Sequence, residues 1–501
     1  MERKRLDLWL MVGIFALSLA LRLAFAANFD GLYGQDPYAY YHFAGDLRSA
    51  LGNHSALEPF FWPLGYPALL ALSFTIFGTT PLTAQAVNIL LGALLPPLVY
   101  VLARQIGAKR LGALAAGLIV AGCGQAIQSS IVVMADIPAL FWATLTAVTL
   151  LYYCRADQRR WLVIAALTLA LACITRWLYL ALIPVWLAAL LLTWRGIRWR
   201  DSLAAGAAAA LVLLPQAAVS VQSPYPVLNH AWVEGWQPGN ALSHQFDNAD
   251  GHFDYAQINA LFYAQPFYDA YYLAPLFAPF VLVGIWSMRR QRPKLALLLG
   301  WALLPYLFLA GIPYQNIRFA LILVPPVALL VGVGLETLFS HPNLVLRSVS
   351  LRRSAFAALL IAGLIFTIRA DQPIIESFVA HQLSDKNAVQ WAILHIPADA
   401  RLYAFGLTLP LQTYAPFEVH ELYNETPDTI AGLQADGKAG YLFVNVWVIA
   451  HQWAGRPLEA TYDWLRDEVG LEYLDRTGNY ILFRIADEYW TPAAGFQRSV
   501  G

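Results

Sequence analysis

The chain has 501 residues, of which 59% are hydrophobic and 13% are charged. Soluble proteins carry about 25% charged residues, so this composition excludes an ordinary water-soluble fold and favours a chain solvated largely by lipid. The formal net charge is zero, which excludes a general nucleic-acid binder, because such proteins need excess positive charge to displace counterions from phosphates.

Eleven apolar runs predict membrane spans, since a spanning helix needs about 20 mostly apolar residues. They lie near residues 7–27, 83–104, 111–128, 136–153, 161–176, 178–194, 202–220, 272–288, 295–312, 319–338 and 354–370. A shorter apolar segment at 62–77 contains Pro63, Gly65 and Pro67, and we expect it to lie along the outer interface. The sequence therefore predicts an all-α polytopic transmembrane bundle of about eleven helices over residues 1–370, with outer loops at 28–82 and 221–271.

Basic residues are distributed unevenly between the predicted loops. With the N-terminus in the cytoplasm, nineteen Lys and Arg residues fall in inner loops. Five remain for the outer side before the tail: Arg22, Arg48, Arg176, Arg318 and Arg369. Cytoplasmic loops carry the excess positive charge in membrane proteins, so we predict a multi-pass protein of the cell (plasma) membrane with a cytoplasmic N-terminus and an extracytoplasmic C-terminal domain.

That C-terminal domain is predicted over residues 371–501, where polar residues become common. Runs at 441–446 and 480–485 predict strands, and stretches at 386–395 and 458–469 predict helices. This pattern indicates a small α/β domain. It contains no catalytic signature, so we expect it to cap the outer face or to hold a substrate.

Two acidic residues occupy the outer ends of predicted helices. Asp36 lies in the first outer loop, within Gln-Asp-Pro-Tyr-Ala-Tyr-Tyr-His, and Asp136 lies in Met-Ala-Asp-Ile-Pro at the start of a span. A helix N-cap would by itself explain either acid. Between them the segment 62–67 reads Trp-Pro-Leu-Gly-Tyr-Pro. The order of these motifs resembles the GT-C superfamily of membrane glycosyltransferases, in particular the family 39-like branch of protein O-mannosyltransferases and lipid A aminoarabinose transferases.

This resemblance covers residues 1 to about 340 and implies an inverting glycosyltransferase. Such an enzyme moves a sugar from a polyprenyl-phosphate-linked donor to a lipid, glycan or protein acceptor on the outer membrane face. The resemblance implies that Asp36 is the catalytic base and Asp136 a second active-site acid. A carboxylate in hydrogen-bond reach of an acceptor hydroxyl can take its proton as the hydroxyl attacks.

The leaving lipid phosphate is an anion that neighbouring positive charge stabilises. We therefore expect the outer arginines to bind the donor phosphate, with snorkelling membrane anchors as the alternative. The candidates are Arg176, Arg318 and Arg22. Residues near the motifs are secondary candidates for substrate binding, although aromatic residues are common at membrane interfaces. These are Tyr38, Tyr40, Tyr41, His42 and Tyr66.

A metal requirement and two other functions are left open. The loop at 221–271 contains residue types that coordinate divalent cations, at a spacing that fits no loop motif: His244, Asp247, Asp250, His252 and Asp254. No cofactor is predicted, and a divalent cation and an ordinary polar loop both stay open. The alternative functions are a secondary transporter, whose charges usually lie at the bilayer midplane within repeated halves, and a catalytically silent GT-C relative.

Overall fold

The computed structural model describes residues 2–53, 57, 59–192, 198–222, 231–340 and 348–486. The chain divides into two compact units. The first unit comprises Met1–Leu32, Tyr40–His244 and Tyr255–Ser377. The second comprises Tyr33–Ala39, Gln245–Asp254 and Phe378–Gly501. The sequence-based division of the chain at residue 371 stays a prediction.

The chain as far as residue 395 is mainly α-helical. The helices are α1 (Glu2–Ala26), α2 (Asp36–Asn53), α3 (Gly65–Phe77), α4 (Pro81–Ile106), α5 (Arg110–Gly122), α6 (Gly124–Ile131), α7 (Asp136–Ala156), α8 (Arg159–Thr175), α9 (Ile183–Leu192), α10 (Trp199–Gln222), α11 (Ala231–Glu234), α12 (Asn259–Tyr263), α13 (Ala278–Met288), α14 (Arg292–Gly311), α15 (Val324–Ser340) and α16 (Val349–His395). Two 3₁₀ segments, Trp177–Leu182 and Ile317–Leu323, lead directly into α9 and α15.

Within the described residues, seven helices are long and apolar enough to cross a membrane, or eight if the bent pair α5 and α6 forms one span. The predicted polytopic helical fold is therefore confirmed, with fewer full-length spans than the eleven expected. The predicted spans at 161–176, 178–194 and 272–288 also contain helices where the structure describes them, but these helices are short. α8, for example, has 17 residues, which at 1.5 Å per residue is about 25 Å, slightly less than the hydrocarbon core.

The helix predicted at 111–128 is broken, because the chain bends by 53° between α5 and α6. Cys123 between them has an extended backbone. A break in lipid leaves backbone groups that water cannot satisfy, so neighbouring protein must do so. The N–H of Gln125 donates to the carbonyl of Tyr271 at 3.1 Å, and a Cβ on Gly124 would lie 2.3 Å from the carboxyl carbon of Asp371.

Small residues let the helices of the first unit approach closely, as is usual between membrane helices. A Cβ on Gly284 of α13 would lie 2.1 Å from the carbonyl oxygen of Leu330 in α15. The reciprocal contact has the same spacing, since a Cβ on Gly334 would lie 2.1 Å from the carbonyl oxygen of Phe280. Larger side chains at these positions would force α13 and α15 apart.

The second unit contains a five-stranded mixed sheet and a separate hairpin. The strands are β1 (Gln245–Asn248), β2 (Gly251–Asp254), β3 (Arg401–Ala404), β4 (Glu418–Glu421), β5 (Gly440–Val444), β6 (Leu471–Thr477) and β7 (Tyr480–Ile485), and the helices after α16 are α17 (Thr408–Tyr414), α18 (Pro427–Gln434), α19 (Val446–Gln452) and α20 (Pro457–Trp464). The sheet has the order β4-β3-β5-β7-β6, and β1 and β2 form the hairpin. β3 runs parallel to β4 and β5, whereas β7 runs antiparallel to β5 and β6.

The sheet has an apolar core on each face, because successive strand residues point to opposite sides. Leu402 and Phe443 belong to one cluster, and Tyr403 and Leu442 belong to the other. The strands predicted at 441–446 and 480–485 and the helices predicted at 386–395 and 458–469 are all observed, the last continuing from α20 into a π-helical turn. The predicted small α/β domain is confirmed.

Candidate active site

Three of the predicted site residues converge in the first unit. Asp136 is the first residue of α7, and its side chain is 3% exposed. One carboxylate oxygen lies 2.9 Å from a terminal guanidinium nitrogen of Arg176, and the other lies 3.9 Å from that of Arg318. Both arginine side chains are 16% exposed. The structure thus places two guanidinium groups beside one buried carboxylate.

The position of Arg176 follows from the end of α8. Its N–H donates to the carbonyl of Ala172 at 3.0 Å, and its backbone is extended before the 3₁₀ segment begins at Trp177. The guanidinium carbon lies 4.8 Å from the centre of the Phe319 ring, a distance at which the negative face of the ring attracts the cation. Asp136 and Phe319 therefore orient the same guanidinium group.

Arg318 lies at the start of the 3₁₀ segment Ile317–Leu323, which Asn316 caps. The Asn316 side-chain oxygen accepts from the backbone N–H of Arg318 at 3.1 Å and from its Nε at 3.3 Å. Tyr263 of α12 donates its hydroxyl to the carbonyl of Tyr314 at 2.8 Å and accepts from the N–H of Asn316 at 3.2 Å. The loop that carries Arg318 is therefore fixed by polar groups that sequence analysis did not identify.

The loop before Asp136 is held by two amide side chains on α4, Gln85 and Asn88. Asn88 donates to the carbonyls of Val132 and Met134 at 2.5 and 2.7 Å. Gln85 donates to the carbonyl of Ile131 at 2.8 Å. Both amides were missed by sequence analysis. Polar residues three positions apart inside a predicted span are a usable signal, because buried polar groups in membranes need partners.

The Gly-Tyr pair of the interfacial motif packs against these same elements. Tyr66 is fully buried, and its hydroxyl donates to the side-chain oxygen of Asn88 at 2.9 Å. A Cβ on Gly65 would lie 2.7 Å from the carbonyl carbon of Ile174, two residues before Arg176. The structure therefore gives the motif a packing role, and the predicted contact of Tyr66 with substrate stays a prediction.

The neighbouring candidates on α2 also pack against α3 and the segments that flank it. The ring of Tyr40 meets that of Tyr66 edge-on at 5.1 Å, and the Tyr41 hydroxyl donates to the carbonyl of Thr79 at 3.4 Å. Burial lowers the pKa of His42 below its ordinary value, which favours the neutral ring. Substrate binding by Tyr40, Tyr41 and His42 stays a prediction.

Arg22 makes contacts of a different kind. The side chain is fully buried in α1, its Nε donates to the Ser130 hydroxyl at 3.0 Å, and one terminal nitrogen donates to the Ser18 hydroxyl at 2.6 Å. The other terminal nitrogen has no hydrogen-bond partner within the described part of the chain. Its hydrogen bonds thus go to serines, and a role in binding the donor phosphate stays a prediction.

Asp36 and Tyr38 belong to the second unit. Asp36 is the first residue of α2, and the carbonyl of Gln35 before it accepts from the N–H of Ala39 at 3.0 Å. Tyr38 is 1% exposed, and its hydroxyl lies 3.5 Å from that of Tyr414. The proposed catalytic and substrate-binding roles of these two residues stay predictions.

The candidate cation ligands lie on or beside the β1–β2 hairpin, which pairs Asp247 with His252. Asp247 forms an ion pair with Arg456, and an imidazole nitrogen of His252 lies 2.9 Å from the carbonyl oxygen of Ala454. No three His, Cys, Asp or Glu side chains gather into a metal-binding group anywhere in the described residues. In the structure, the hairpin residues contact the C-terminal part of the second unit.

Comparisons of sequence point to lipid-linked sugar transferases. A profile described as "Dolichyl-phosphate-mannose-protein mannosyltransferase" matches residues 70–222. The undecaprenyl phosphate-alpha-4-amino-4-deoxy-L-arabinose arabinosyl transferase of Pseudomonas paraeruginosa is 28% identical over 316 residues, which cover 60% of this chain and 54% of that relative. Its Pseudomonas aeruginosa counterpart is 26% identical over 398 residues, which cover 74% and 69% of the two chains. This chain thus aligns with about half of the first relative and about two thirds of the second.

Two solved structures match the fold of this chain over nearly its whole length. ArnT from Cupriavidus metallidurans, bound to undecaprenyl phosphate, matches with a TM-score of 0.65 and 16% identity over 96% of this chain and 99% of that one. The chain has a GT-C fold. The oligosaccharyltransferase AglB from Archaeoglobus fulgidus, in complex with an inhibitory peptide and a dolichol-phosphate, matches with a TM-score of 0.63 and 16% identity over 95% and 74% of the two chains. The resemblance predicted from the sequence is confirmed.

Proposed function

We propose that this protein is an inverting glycosyltransferase that moves a sugar from a polyprenyl-phosphate donor to a lipid, glycan or protein acceptor at the outer face of the membrane. The observation that carries the proposal is the convergence of Arg176 and Arg318 on Asp136. Arginine binds phosphate through a planar fork of donors, and a partly buried site strengthens that attraction. The two arginines are thus suited to a lipid phosphate, as donor and as leaving group.

The two carboxylates, Asp36 and Asp136, have different roles in the proposed reaction. Asp36 takes the proton of the acceptor hydroxyl as its oxygen attacks the anomeric carbon. The bond from that carbon to the phosphate oxygen breaks, and its electrons leave with the lipid phosphate. Asp136 holds the arginines in place and accepts no proton in this scheme.

The nature of the donor is inferred from the relatives. The curated relatives are named for undecaprenyl phosphate-linked aminoarabinose, and the matching profile is named for dolichyl-phosphate-mannose. A polyprenyl phosphate is common to these names and to the lipids in the two solved structures. We therefore propose this carrier class without choosing the sugar.

The experiment that tests the function is sugar transfer from a panel of radiolabelled polyprenyl-phosphate sugars in membranes with matched protein levels. Wild type transfers sugar, and Asp36→Asn and Arg176→Gln lower transfer by at least about 100-fold. Arg48→Gln is the matched control, because Arg48 is an exposed outer arginine that donates to the Thr79 hydroxyl. Transfer that survives Asp36→Asn would remove Asp36 as the base.

Outcomes without transfer distinguish the alternatives. Substrate flux by the purified protein in proteoliposomes would instead support a transporter, and the absence of both activities would support a silent relative. The anomeric configuration of the product, read by NMR, decides whether the transfer inverts.

We also propose a cytoplasmic N-terminus and an extracytoplasmic C-terminal domain in the plasma membrane. The support is the excess of basic residues in alternate loops. Single cysteines at Glu472 and at Arg290, in a variant without the native cysteines, test it in intact cells. A membrane-impermeant maleimide is expected to label the first and to spare the second, and the reverse pattern would invert the topology.

A further inference from the structure

The side chain of Gln35 is fixed at both ends of its amide within the second unit. Its nitrogen donates to a carboxylate oxygen of Glu421 at 3.0 Å. Its oxygen accepts from the backbone N–H of Leu409 at 2.9 Å. An amide that donates and accepts at once has a defined orientation. Gln35 directly precedes Asp36 in the chain, so the same contacts define where the backbone of Asp36 begins.

Further contacts connect the same short segment to the C-terminal part of the second unit. The Tyr38 hydroxyl lies 3.5 Å from that of Tyr414, and the Tyr33 ring meets the Phe378 ring edge-on at 5.2 Å. Tyr33, before Asp36, and Tyr38, after it, therefore both contact the C-terminal part of the second unit. Tyr33–Ala39 and Phe378–Gly501 belong to the same compact unit.

Glu421 is suited to a positioning role because its backbone is part of the paired sheet. It ends β4, which pairs in parallel with β3 so that Glu421 faces Ala404. Burial raises the pKa of Glu421, and the hydrogen bond from Gln35 to one carboxylate oxygen acts in the opposite direction. The pairing of β4 fixes the backbone of Glu421, and the Gln35 amide contacts one oxygen of its carboxylate.

We propose that Gln35 and Glu421 are positioning residues that let the C-terminal domain set the place of Asp36. This inference rests on the proposed function, in which Asp36 is the base. A base must stand within hydrogen-bond reach of its proton, and a displacement of about 1 Å costs about 100-fold in rate. The C-terminal domain thus contributes to the rate of transfer as well as to the fold.

An exchange of the two side chains tests the contact. Gln35→Glu removes the donor and sets two carboxylates together, so kcat is expected to fall by about 100-fold while the donor KM stays within about threefold. In the double variant Gln35→Glu/Glu421→Gln, the new amide at 421 donates to the new carboxylate at 35, which still accepts from Leu409. The double variant is expected to recover to within about fivefold of wild type, a coupling that independent sites do not give.

Two single variants serve as controls. Glu421→Gln completes the set of variants: it keeps an acceptor for the Gln35 amide but removes the charge, so kcat is expected to fall by less than in Gln35→Glu. Glu472→Gln changes the same residue type at an exposed position on β6 and is expected to have no effect. Hydrogen exchange of the backbone amides at 33–39, measured on the full chain in nanodiscs, is expected to quicken in Gln35→Glu and to slow again in the double variant.

Failure of the inference is distinct from failure of the proposed function. Unchanged exchange in Gln35→Glu would overturn the contact, and quickened exchange with unchanged kcat would overturn its part in transfer. A double variant no better than Gln35→Glu would also overturn it. If the wild-type protein transfers sugar from none of the donors, the proposed function is wrong, and so is the proposal that Gln35 and Glu421 position a base. The hydrogen-exchange result still shows whether the hydrogen bond between Gln35 and Glu421 orders residues 33–39.

Discussion

A guanidinium nitrogen of Arg176 lies 2.9 Å from a carboxylate oxygen of Asp136, whose side chain is 3% exposed. Two charges removed from water in this way depend on each other, because a buried charge that loses its partner keeps its desolvation cost. The pair also brings together the end of α8 and the start of α7. It therefore serves both the fold of the first unit and the proposed binding of phosphate.

Asp136→Asn is expected to abolish transfer and to lower the free energy of unfolding by about 3–5 kcal/mol, because Arg176 loses its buried partner. The double variant Asp136→Asn/Arg176→Gln is expected to regain much of the stability without regaining transfer. Thermal unfolding in detergent and the transfer assay measure the two effects separately. A stable Asp136→Asn protein would show that the pair carries little of the folding energy.

Gly65→Ala is expected to destabilise the protein by about 1–3 kcal/mol, because the new Cβ would overlap the carbonyl of Ile174. It should also reduce transfer, since Arg176 follows that carbonyl by two residues. Gly13→Ala is the control, because a Cβ there meets nothing within 4 Å. Equal melting temperatures for the two variants would contradict the close approach of α3 to α8.

Asn88→Ala is expected to cost about 1–3 kcal/mol for each carbonyl left without its donor, whereas Tyr66→Phe removes one hydroxyl and costs about 1 kcal/mol. Wild type is therefore expected to be the most stable, Tyr66→Phe less stable and Asn88→Ala the least stable. Melting temperatures of the purified proteins test the order. A Tyr66→Phe variant as unstable as Asn88→Ala would mean that the tyrosine, rather than the loop contacts of Asn88, dominates.

Glu418 makes the second unit sensitive to acid. Hydrogen bonds from Lys438, His420 and Arg401 lower the pKa of Glu418 to about 2 from an ordinary 4.5. A lowered pKa in the folded state contributes stability above the unfolded pKa, and this stability is lost as the pH falls from about 4.5 to about 2. Glu418→Gln should therefore be less stable than wild type at pH 7 and equal to it near pH 2. Unfolding followed by tryptophan fluorescence across this range measures the difference, and a gap that is constant with pH would contradict it.

The sequence predicted the helices well because lipid imposes a composition that can be read residue by residue. It also indicated Asp136, Arg176 and Arg318 as candidates, since charges at the ends of apolar runs are rare enough to be informative, and their roles stay predictions. Their meeting on one carboxylate was not predictable, because it depends on the packing of α7, α8 and the segment at 317–323. For the motif residue Tyr66 the predicted contact with substrate stays a prediction, and the structure adds a hydrogen bond from its hydroxyl to Asn88 that the sequence did not indicate.

Other features were missed for different reasons. The hairpin in the second outer loop had a readable turn, Asn-Ala-Asp-Gly at 248–251, in which Gly251 has a φ of +111°. The sequence analysis instead interpreted the aspartates of this loop as candidate ligands of a divalent cation. The bond between Gln35 and Glu421 joins residues 386 positions apart, and neither residue type carries a signal of its partner. Helix length, turns and charge placement are local, but hydrogen bonds across the fold are not.

The break between α5 and α6 has a consequence for biosynthesis. The N–H of Gln125, in the first turn of α6, donates to the carbonyl of Tyr271. Tyr271 is translated almost 150 residues after Gln125. Until that segment leaves the ribosome and inserts, the N–H of Gln125 lacks its native acceptor in a medium where an unmet backbone group costs several kcal/mol. The early helices can enter the membrane in order, but the bend between α5 and α6 cannot reach its native hydrogen bonding until the segment with Tyr271 has inserted.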